Sequence, residues 1–243
     1  WGGESLTIGG VDKDGNDATN DLTFMMLEAS AHTRMMNPWV CVRMHEGTPY
    51  ELKLKTVECI RAGYGHPKLF NDAVAIKVMQ KKGMTLEEAR NYEVVGCVEP
   101  DLPGKEYGYH DAAYMSIAKV MELALNGGQC IDCSKHCPRF AECAGAGKHL
   151  GPDTGNLETF KSFDEVLKSF DDQMNYWTKL MCDQINIIET VHKQLKPLPF
   201  ASAFFEGCIE NCKDVGDGGT KYNFTGPQAS GIGTCTDILS TIK

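Results

Sequence analysis

The sequence predicts an α/β fold, because strand patterns and helix patterns alternate along the chain. Residues Trp39–His45 alternate apolar and polar side chains toward their end, which is typical of a strand. Helical patterns follow around Pro49–Ala62 and Asn71–Lys82, and Tyr92–Val95 is a second candidate strand. The 243 residues, 42% of them hydrophobic and 23% charged, are enough for one large domain or two small ones.

The segment before the first predicted strand is rich in turn-forming residues. Its acids between Asp12 and Asp17 suggest a calcium site, but the spacing departs from the EF-hand loop, which a glutamate closes. A turn followed by a helix over about 17–31 is therefore the favoured interpretation.

A short helix before the second strand has an explicit start signal. Thr85 and Glu88 have the capping-box spacing, in which Thr85 caps the helix and Glu88 reaches back. This helix leads directly into Tyr92–Val95, the strand that delivers Cys97. A thiol at the end of a strand is held rigidly, which reactive geometry requires.

Three helices are predicted in the second half. Residues 111–126 carry apolar side chains at helical spacing and end at Gly127–Gly128. A long helix begins with a second capping-box pattern at Ser162–Glu165 and ends at Pro197–Pro199. Its apolar stripe, predicted to pack in the core, is Phe163, Val166, Leu167, Phe170, Met174, Trp177, Leu180, Met181, Ile185 and Ile188. A last helix is predicted near 236–242.

Composition narrows the class of protein. The formal net charge of −9 and the lack of a long Lys/Arg cluster argue against nucleic acid as a partner. No stretch approaches 18 uninterrupted apolar residues, so no membrane span is expected. The eleven cysteines are not spaced like a small disulfide framework, which favours a reducing cytoplasm. Cys208 and Cys212 fit one face of a buried helix.

The most informative segment is Val95–Pro100, in which Cys97 and Glu99 are two residues apart. If this segment is extended, both side chains project to the same side and face one cavity. A sulfur that abstracts hydrogen and a group that transfers protons would then reach the same substrate, which suits radical lyase chemistry. The alternative is a buried cysteine beside a surface glutamate at a strand end.

Three further motifs accompany Val95–Pro100, namely Phe70–Asp72, Tyr107–Tyr114 and Tyr222–Gln228. In this order they resemble the glycyl radical enzymes related to pyruvate formate-lyase, and in particular the branch of glycerol and diol dehydratases. The resemblance covers nearly the whole chain. It implies that the α/β fold is part of a ten-stranded barrel, with a finger-like loop inside that bears the cysteine.

The resemblance also implies that residues 1–243 are a partial barrel domain of a longer parent chain. The N-terminal part and the C-terminal glycyl radical domain of the family are expected to lie outside this sequence. The fragment alone is therefore not expected to turn over. The parent is expected to need a radical activase that uses S-adenosylmethionine and an iron-sulfur cluster, and to be a homodimer.

The resemblance assigns roles to four residues. Cys97 corresponds to the thiol that forms a thiyl radical, and Glu99 to the carboxylate that acts as general base. Asp111 falls where the diol dehydratases carry a second carboxylate that binds substrate hydroxyls, and His110 lies beside it. Asp111 is equally suited to cap a helix N-terminus. Tyr114 is expected in the core.

A cysteine-rich insertion at about 129–150 departs from the dehydratase pattern. Its thiols, which could hold zinc or an iron-sulfur cluster, are Cys130, Cys133, Cys137 and Cys143. His136 and His149 offer further ligands. Free thiols without a metal, or disulfides, are the alternatives.

The function predicted from these features is that of a glycyl radical lyase that removes water from a small polyol or hydroxylated metabolite in anaerobic metabolism. Gly96 stands where pyruvate formate-lyase has a second cysteine, which disfavours acyl transfer. Decarboxylation of aryl acetates is one alternative. A metal-binding module centred on Cys130–Cys143 is another.

Overall fold

The computed structural model describes residues 4–131 and 149–243. The chain divides into two units, one of Trp1–Gly108 with Pro199–Phe224 and one of Tyr109–Leu198 with Thr225–Lys243. Each unit combines helices with β-strands, which confirms the predicted α/β class.

The first unit is built on a parallel sheet. Its three neighbouring strands are β1 (Ser5–Gly9), β2 (Trp39–Met44) and β3 (Lys68–Asn71). Thr7 lies opposite Cys41, which in turn lies opposite Lys68. Parallel neighbours need long connections, and helices α1 (Asp21–Thr33) and α2 (Tyr50–Arg61) supply them.

Helix α1 begins after Asn20, later than the predicted start near residue 17. The Asn20 side chain accepts the backbone N–H of Thr23 at 3.2 Å, and the Thr23 hydroxyl accepts the N–H of Asn20 at 3.3 Å. The Asp12 carboxylate accepts the N–H groups of Asp14 and Asn16 at 2.9 and 2.8 Å. These acids therefore close the predicted turn.

The two faces of the sheet pack against different layers, because successive residues of a strand point to opposite sides. One face packs against α1 and α2 through Leu27, Val40, Val42, Leu52 and Cys59. The other face packs against the next part of the chain through Cys41, Met79, Met84, Ala89, Tyr92, Val94 and Leu102.

That next part consists of two helices and a β-hairpin. The elements are α3 (Asp72–Lys81), α4 (Leu86–Arg90), β4 (Glu93–Val95) and β5 (Glu99–Asp101). The capping box predicted before α4 is confirmed. Glu88 donates its backbone N–H to the Thr85 hydroxyl at 3.2 Å, and its carboxylate accepts the Thr85 N–H at 3.1 Å.

The segment Pro199–Phe224 is joined to α4 by a cluster of charges around Glu88, a side chain that is largely buried. Lys221 and Lys105 donate to the Glu88 carboxylate at 2.7 and 2.9 Å, and the Tyr222 hydroxyl donates at 2.8 Å. These donors, Lys221 foremost, hold the pKa of Glu88 far below its usual range although burial opposes the shift.

In its described residues, the second unit contains a two-stranded parallel sheet and three helices. They are β6 (Tyr109–Ser116), α5 (Ile117–Leu125), α6 (Phe163–Leu195), β7 (Thr225–Ser230) and α7 (Ile232–Ile242). The helix predicted over 111–126 is wrong in its first six residues, which belong to β6. The real start of α5 is capped by Ser116, whose hydroxyl accepts the N–H of Lys119 at 3.3 Å. The predicted end at Gly127–Gly128 is confirmed.

Helix α6 has the predicted limits, but its packing differs from the prediction. Ser162 caps it by accepting the Glu165 N–H, whereas the Glu165 carboxylate accepts the N–H of Lys161 instead of that of Ser162. Two of its buried side chains, Ser169 and Gln173, are polar, and the other two, Val166 and Ile185, are apolar. Leu167, Leu180 and Ile188 of the predicted core stripe are exposed. No helix in the described ranges, α6 included, has the length and apolar content that a membrane span requires.

Candidate active site

Cys97 lies in the turn of the β4–β5 hairpin and is exposed. Val95 and Glu99 are the last paired residues, so Gly96–Val98 form the turn. The prediction that this segment is extended is therefore wrong. Gly96 has a positive φ of 59°, a conformation that glycine adopts without strain.

The turn, instead of strand alternation, brings the Glu99 carboxylate onto the backbone that carries Cys97. The Glu99 carboxylate folds back over the turn and accepts the backbone N–H of Val98 at 2.8 Å. A Cβ atom on Gly96 would lie 2.9 Å from Glu99 Oε2, so the carboxylate packs directly against the residue before Cys97. Glycine at position 96 is thus what gives the carboxylate room.

Two hydroxyls of β1 hold the hairpin. Ser5 donates from Oγ to the carbonyl oxygen of Gly96 at 3.0 Å, and Thr7 Oγ1 accepts the N–H of Val94 at 2.9 Å. Residues 5 and 7 point to the same face of the strand, so alternation along β1 delivers both hydroxyls to the hairpin.

A buried ion pair supports the start of the same hairpin. Arg43 donates to both carboxylate oxygens of Asp72 at 2.9 and 3.0 Å, and to the carbonyl oxygens of Tyr92 and Arg90 at 3.1 and 2.8 Å. The Tyr92 hydroxyl donates to Asp72 Oδ1 at 2.8 Å. Burial, with Asp72 as acceptor, raises the pKa of Tyr92, so this hydroxyl stays a donor.

The bidentate geometry of Arg43 fixes the chain that leads into β4. A buried guanidinium that also binds two carbonyl oxygens uses all but one of its N–H donors and cannot easily shift. The position of Cys97 is therefore set by contacts from β1 and β2 that lie outside its own hairpin.

A second thiol, Cys41 of β2, is fully buried close to this turn. Burial raises its pKa, the charge of Lys68 lowers it, and the charges of Cys97 and Glu99 raise it further. Cys41 is thus a protonated thiol within electrostatic reach of the proposed reacting groups. Sequence reasoning missed it, although the period of two along β2 and β3 places Cys41 and Lys68 on one face.

His110 and Asp111 belong to the second unit, where they lie together on β6. Asp111 has a positive φ of 53°, at a break in the β6–β7 register, and its carboxylate accepts a hydrogen bond from Gln228. The helix-capping alternative for Asp111 is wrong, since it lies inside a strand. The structure brings Cys97 together with Glu99, and His110 together with Asp111, within separate units.

Tyr114 is not a core residue, because 68% of its side chain is exposed. It lines a largely apolar cavity of about 340 Å³ between β6, α5 and α6. Met115, Trp177, Leu180 and Met181 are among its apolar lining residues. Part of the apolar stripe of α6, which was predicted to pack in the core, lines this cavity instead.

The zinc or iron-sulfur site predicted at the cysteine-rich insertion stays a prediction, because most of its ligands are not described. Cys133, Cys137, Cys143 and His136 lie outside the described residues. Cys130 is half-buried, with its Sγ 3.6 Å from Lys119 Nζ. Both ring nitrogens of His149 have partners, namely the Gly127 carbonyl oxygen at 2.6 Å and Gln129 Nε2 at 3.0 Å. Within residues 4–131 and 149–243, no three ligand-type side chains are grouped so as to hold a metal ion.

The eight cysteines that the structure describes are free thiols. Cys208 is buried and Cys212 is exposed, in a series of turns instead of a helix. The buried-helix prediction for this pair is therefore wrong.

The family follows from a comparison of the sequence with family models. Residues 3–243 match the family described as pyruvate formate lyase-like. The match extends over nearly the whole chain and includes the Cys97 hairpin. The chain belongs to the pyruvate formate lyase-like family.

Individual relatives are dehydratases. The chain is 64% identical over its full length to the (2S)-3-sulfopropanediol dehydratase of Klebsiella oxytoca. The glycerol-bound glycerol dehydratase of Clostridium butyricum superposes on 99% of the chain with a TM-score of 0.86 and 40% identity. A structure describing 1,2-propanediol dehydration in Roseburia inulinivorans gives a TM-score of 0.85 over 98% of the chain, with 38% identity.

The chain spans only 28% of the Klebsiella enzyme, 29% of the Clostridium chain and 28% of the Roseburia chain. It therefore corresponds to a part of each relative, as the resemblance implied. The names of all three relatives describe the removal of water from a hydroxylated substrate. The indoleacetate decarboxylase of Tractidigestivibacter scatoligenes is less similar, at 26% identity over 90% of the chain, so the chain is more similar to these dehydratases than to that decarboxylase.

Proposed function

We propose that the chain is the thiol-bearing part of a glycyl radical dehydratase that acts on a small 1,2-diol. (2S)-3-Sulfopropanediol is the first candidate substrate, because the Klebsiella enzyme of that name is 64% identical over the full length. The structural observation that carries the proposal is the Glu99 carboxylate folded onto the turn that presents Cys97. Glycerol and 1,2-propanediol are the second candidates, from the solved relatives.

In this proposal the hairpin supplies both reacting groups. The glycyl radical that the family implies, on a glycine of the parent chain, supplies the one-electron chemistry by taking the hydrogen atom of the Cys97 thiol. Cys97 fits that role because its side chain is exposed at the turn. Its sulfur then takes a hydrogen atom from the hydroxylated carbon of the diol and returns one at the end of the cycle.

Glu99 takes the proton of one hydroxyl and passes a proton to the neighbouring hydroxyl, which leaves as water, so the carboxylate is regenerated. The net reaction converts the diol to an aldehyde plus water, with no change in overall oxidation state. Asp111 and His110 are proposed to hold the substrate hydroxyls. Asp111 is exposed and already accepts one hydrogen bond from Gln228, which orients its carboxylate.

We extend the proposal to the parent protein. Residues 1–243 are part of its ten-stranded barrel domain, with the cysteine-bearing finger loop inside and a cysteine-rich insertion at about 129–150. The parent is a cytoplasmic homodimer activated by an enzyme that uses S-adenosylmethionine and an iron-sulfur cluster. The free thiols of the described residues support a reducing compartment.

The test is the full-length parent, activated without oxygen and offered the three diols, with electron paramagnetic resonance and product analysis. A glycyl doublet together with an aldehyde product is expected. Cys97→Ser should keep the doublet and abolish turnover, because an O–H bond is too strong to relay the hydrogen atom. Cys182→Ser, which changes an exposed thiol of α6, is the matched control. Turnover by the Cys97→Ser variant would refute the mechanism.

Glu99→Gln tests the second group. The amide keeps the size of the side chain but cannot take a proton, so kcat should fall by about 100-fold or more. The doublet should be retained. Undiminished kcat would show that another group acts as the base.

Metal binding at the insertion is a separate proposal. Elemental analysis of the parent should find zinc or iron in stoichiometric amount, lost in a Cys133→Ser, Cys137→Ser double variant. A metal-free parent would refute it. Neither result affects the argument for Cys97.

A further inference from the structure

Three residues, Ser5, Trp39 and Lys68, begin the three parallel strands, at the end of the sheet where Ser5 and Trp39 reach the Cys97 turn. Ser5 lies opposite Trp39 in the sheet. Lys68 lies opposite Cys41, which is two residues after Trp39 and therefore on the same face of β2. Ser5 binds the Gly96 carbonyl oxygen. The Trp39 ring lies 3.9 Å from the position that a Cβ atom on Gly96 would occupy.

Lys68 is held on this aromatic ring. Its Nζ lies 4.3 Å from the centre of the Trp39 ring, which is the geometry of a cation–π contact. The Trp39 ring lies between this ammonium and Gly96, and the charges of Lys68 and Glu99 both act on the pKa of the buried Cys41 thiol, so Lys68 belongs to the surroundings of the proposed base. Lys68 is half-buried.

Several cations of the first unit are paired with carboxylates, whereas Lys82, like Lys68, lies over an aromatic ring. Arg43 is paired with Asp72, and Lys105 and Lys221 are paired with Glu88. Lys68, by contrast, makes no ion pair with any carboxylate in residues 4–131 and 149–243. Its ammonium is oriented by the Trp39 ring and is not engaged in an ion pair with any described residue.

We propose that the Lys68 ammonium binds the anionic substituent of the diol and so determines substrate specificity. The assignment rests on the function proposed above. A sulfonate is ionised at neutral pH, and an anion that leaves water for an enclosed site needs a cation and hydrogen-bond donors. The diol is only three carbons long, so its sulfonate must lie near the turn that reaches its hydroxylated carbon. Trp39 limits the motion of the ammonium and thereby lowers the entropic cost of binding.

The test is Lys68→Gln in the full-length, activated parent. For (2S)-3-sulfopropanediol, KM should rise about 10- to 100-fold with little change in kcat, as expected when a charge-assisted hydrogen bond present throughout the reaction is lost. The glycyl doublet should be unchanged, which separates this loss from misfolding. Lys68→Arg keeps the charge and should retain most of the affinity. Lys53→Gln, on the exposed side of α2, should match the wild type.

A second substrate gives a readout that a structural role would not move. The kcat/KM ratio of the sulfonated diol to uncharged 1,2-propanediol should fall in Lys68→Gln. An unchanged KM, or an equal loss for both diols, would overturn the assignment while leaving the proposed dehydratase intact. A wild-type parent that forms the doublet but leaves the sulfonated diol intact would overturn the proposed substrate, and the assignment with it.

Discussion

Ser5 Oγ donates a 3.0 Å hydrogen bond to the carbonyl oxygen of Gly96, a residue 91 positions further along the chain. That carbonyl belongs to the planar peptide unit that joins Gly96 to the Cα atom of Cys97. The first strand of the sheet therefore orients the peptide on which the proposed hydrogen-abstracting thiol is mounted.

Ser5→Ala should lower kcat clearly but lower the free energy of unfolding only slightly. The loss of one hydrogen bond should destabilise the fold by about 1 kcal/mol. Turnover should fall about 10-fold or more, because a small misplacement of a reacting group is costly. Steady-state kinetics and the glycyl doublet of the parent check this. Ser5→Thr keeps the hydroxyl and should be close to wild type, whereas full activity of the alanine variant would contradict the role of the bond.

Gly96→Ala should displace the Glu99 carboxylate, because the added Cβ would lie 2.9 Å from Glu99 Oε2. The expected result is a fall in kcat of about 100-fold, in the direction of Glu99→Gln. Gly83→Ala is the matched control, since Gly83 also has a positive φ, of 97°, but nothing lies within 4 Å of the added atom. The control should show only the backbone cost of about 1–2 kcal/mol. Equal kcat losses in the two variants would rule out the steric explanation.

Arg43→Met should be among the most damaging substitutions in the first unit. It leaves the Asp72 carboxylate, 2% exposed, without its partner, at a cost of about 3–5 kcal/mol. It also frees the carbonyl oxygens of Tyr92 and Arg90. Thermal unfolding of the parent measures the loss.

Arg61→Met, an exposed arginine at the end of α2, should be nearly neutral and serves as its control. The double variant Arg43→Met, Asp72→Asn should be less destabilised than the sum of the two single variants, because it leaves no unpaired charge. Additive losses would argue against a direct coupling of the two side chains.

Elements with local signals could be predicted from the sequence. The capping box of Thr85 and Glu88 and the alternation of Trp39–His45 each involve residues close in the chain, and both gave nearly correct limits. Strand β6 was missed because its residues Tyr109–Ser116 pair with β7, more than 100 residues away. When pairing with a distant strand determines the conformation, the local sequence can still show the apolar spacing of a helix, and the strand cannot be predicted from it.

The residues of the candidate site also fall into two groups, those adjacent in the sequence and those that other strands bring to the turn. Cys97 and Glu99 were predicted to face one cavity from an extended segment, but a turn joins them, and their shared role stays a prediction. Ser5, Arg43 and Lys68 act from other strands, and their contacts depend on the register of the sheet. Alternation along each strand could have shown their shared face, but not the distance of that face from the turn.

The Glu88 cluster should make the stability of the parent depend on acid. The pKa of Glu88 is lowered below its ordinary value of 4.5 in the fold, by hydrogen bonds from Lys221 first and then Lys105 and Tyr222. The folded state therefore binds this proton less readily than the unfolded state. The stabilisation is fully present above pH 4.5 and is lost progressively as the pH falls through the folded pKa.

Glu88→Gln should consequently lower the unfolding midpoint by a constant amount between pH 6 and 8, and by a shrinking amount as the pH falls below about 4.5. Glu87→Gln changes an exposed neighbour on the same helix and should have little effect at any pH. Unfolding followed by circular dichroism across this range measures both variants. If the difference between Glu88→Gln and wild type grew on acidification, the carboxylate would have to carry a raised pKa, and the ion cluster could not be what joins Pro199–Phe224 to α4.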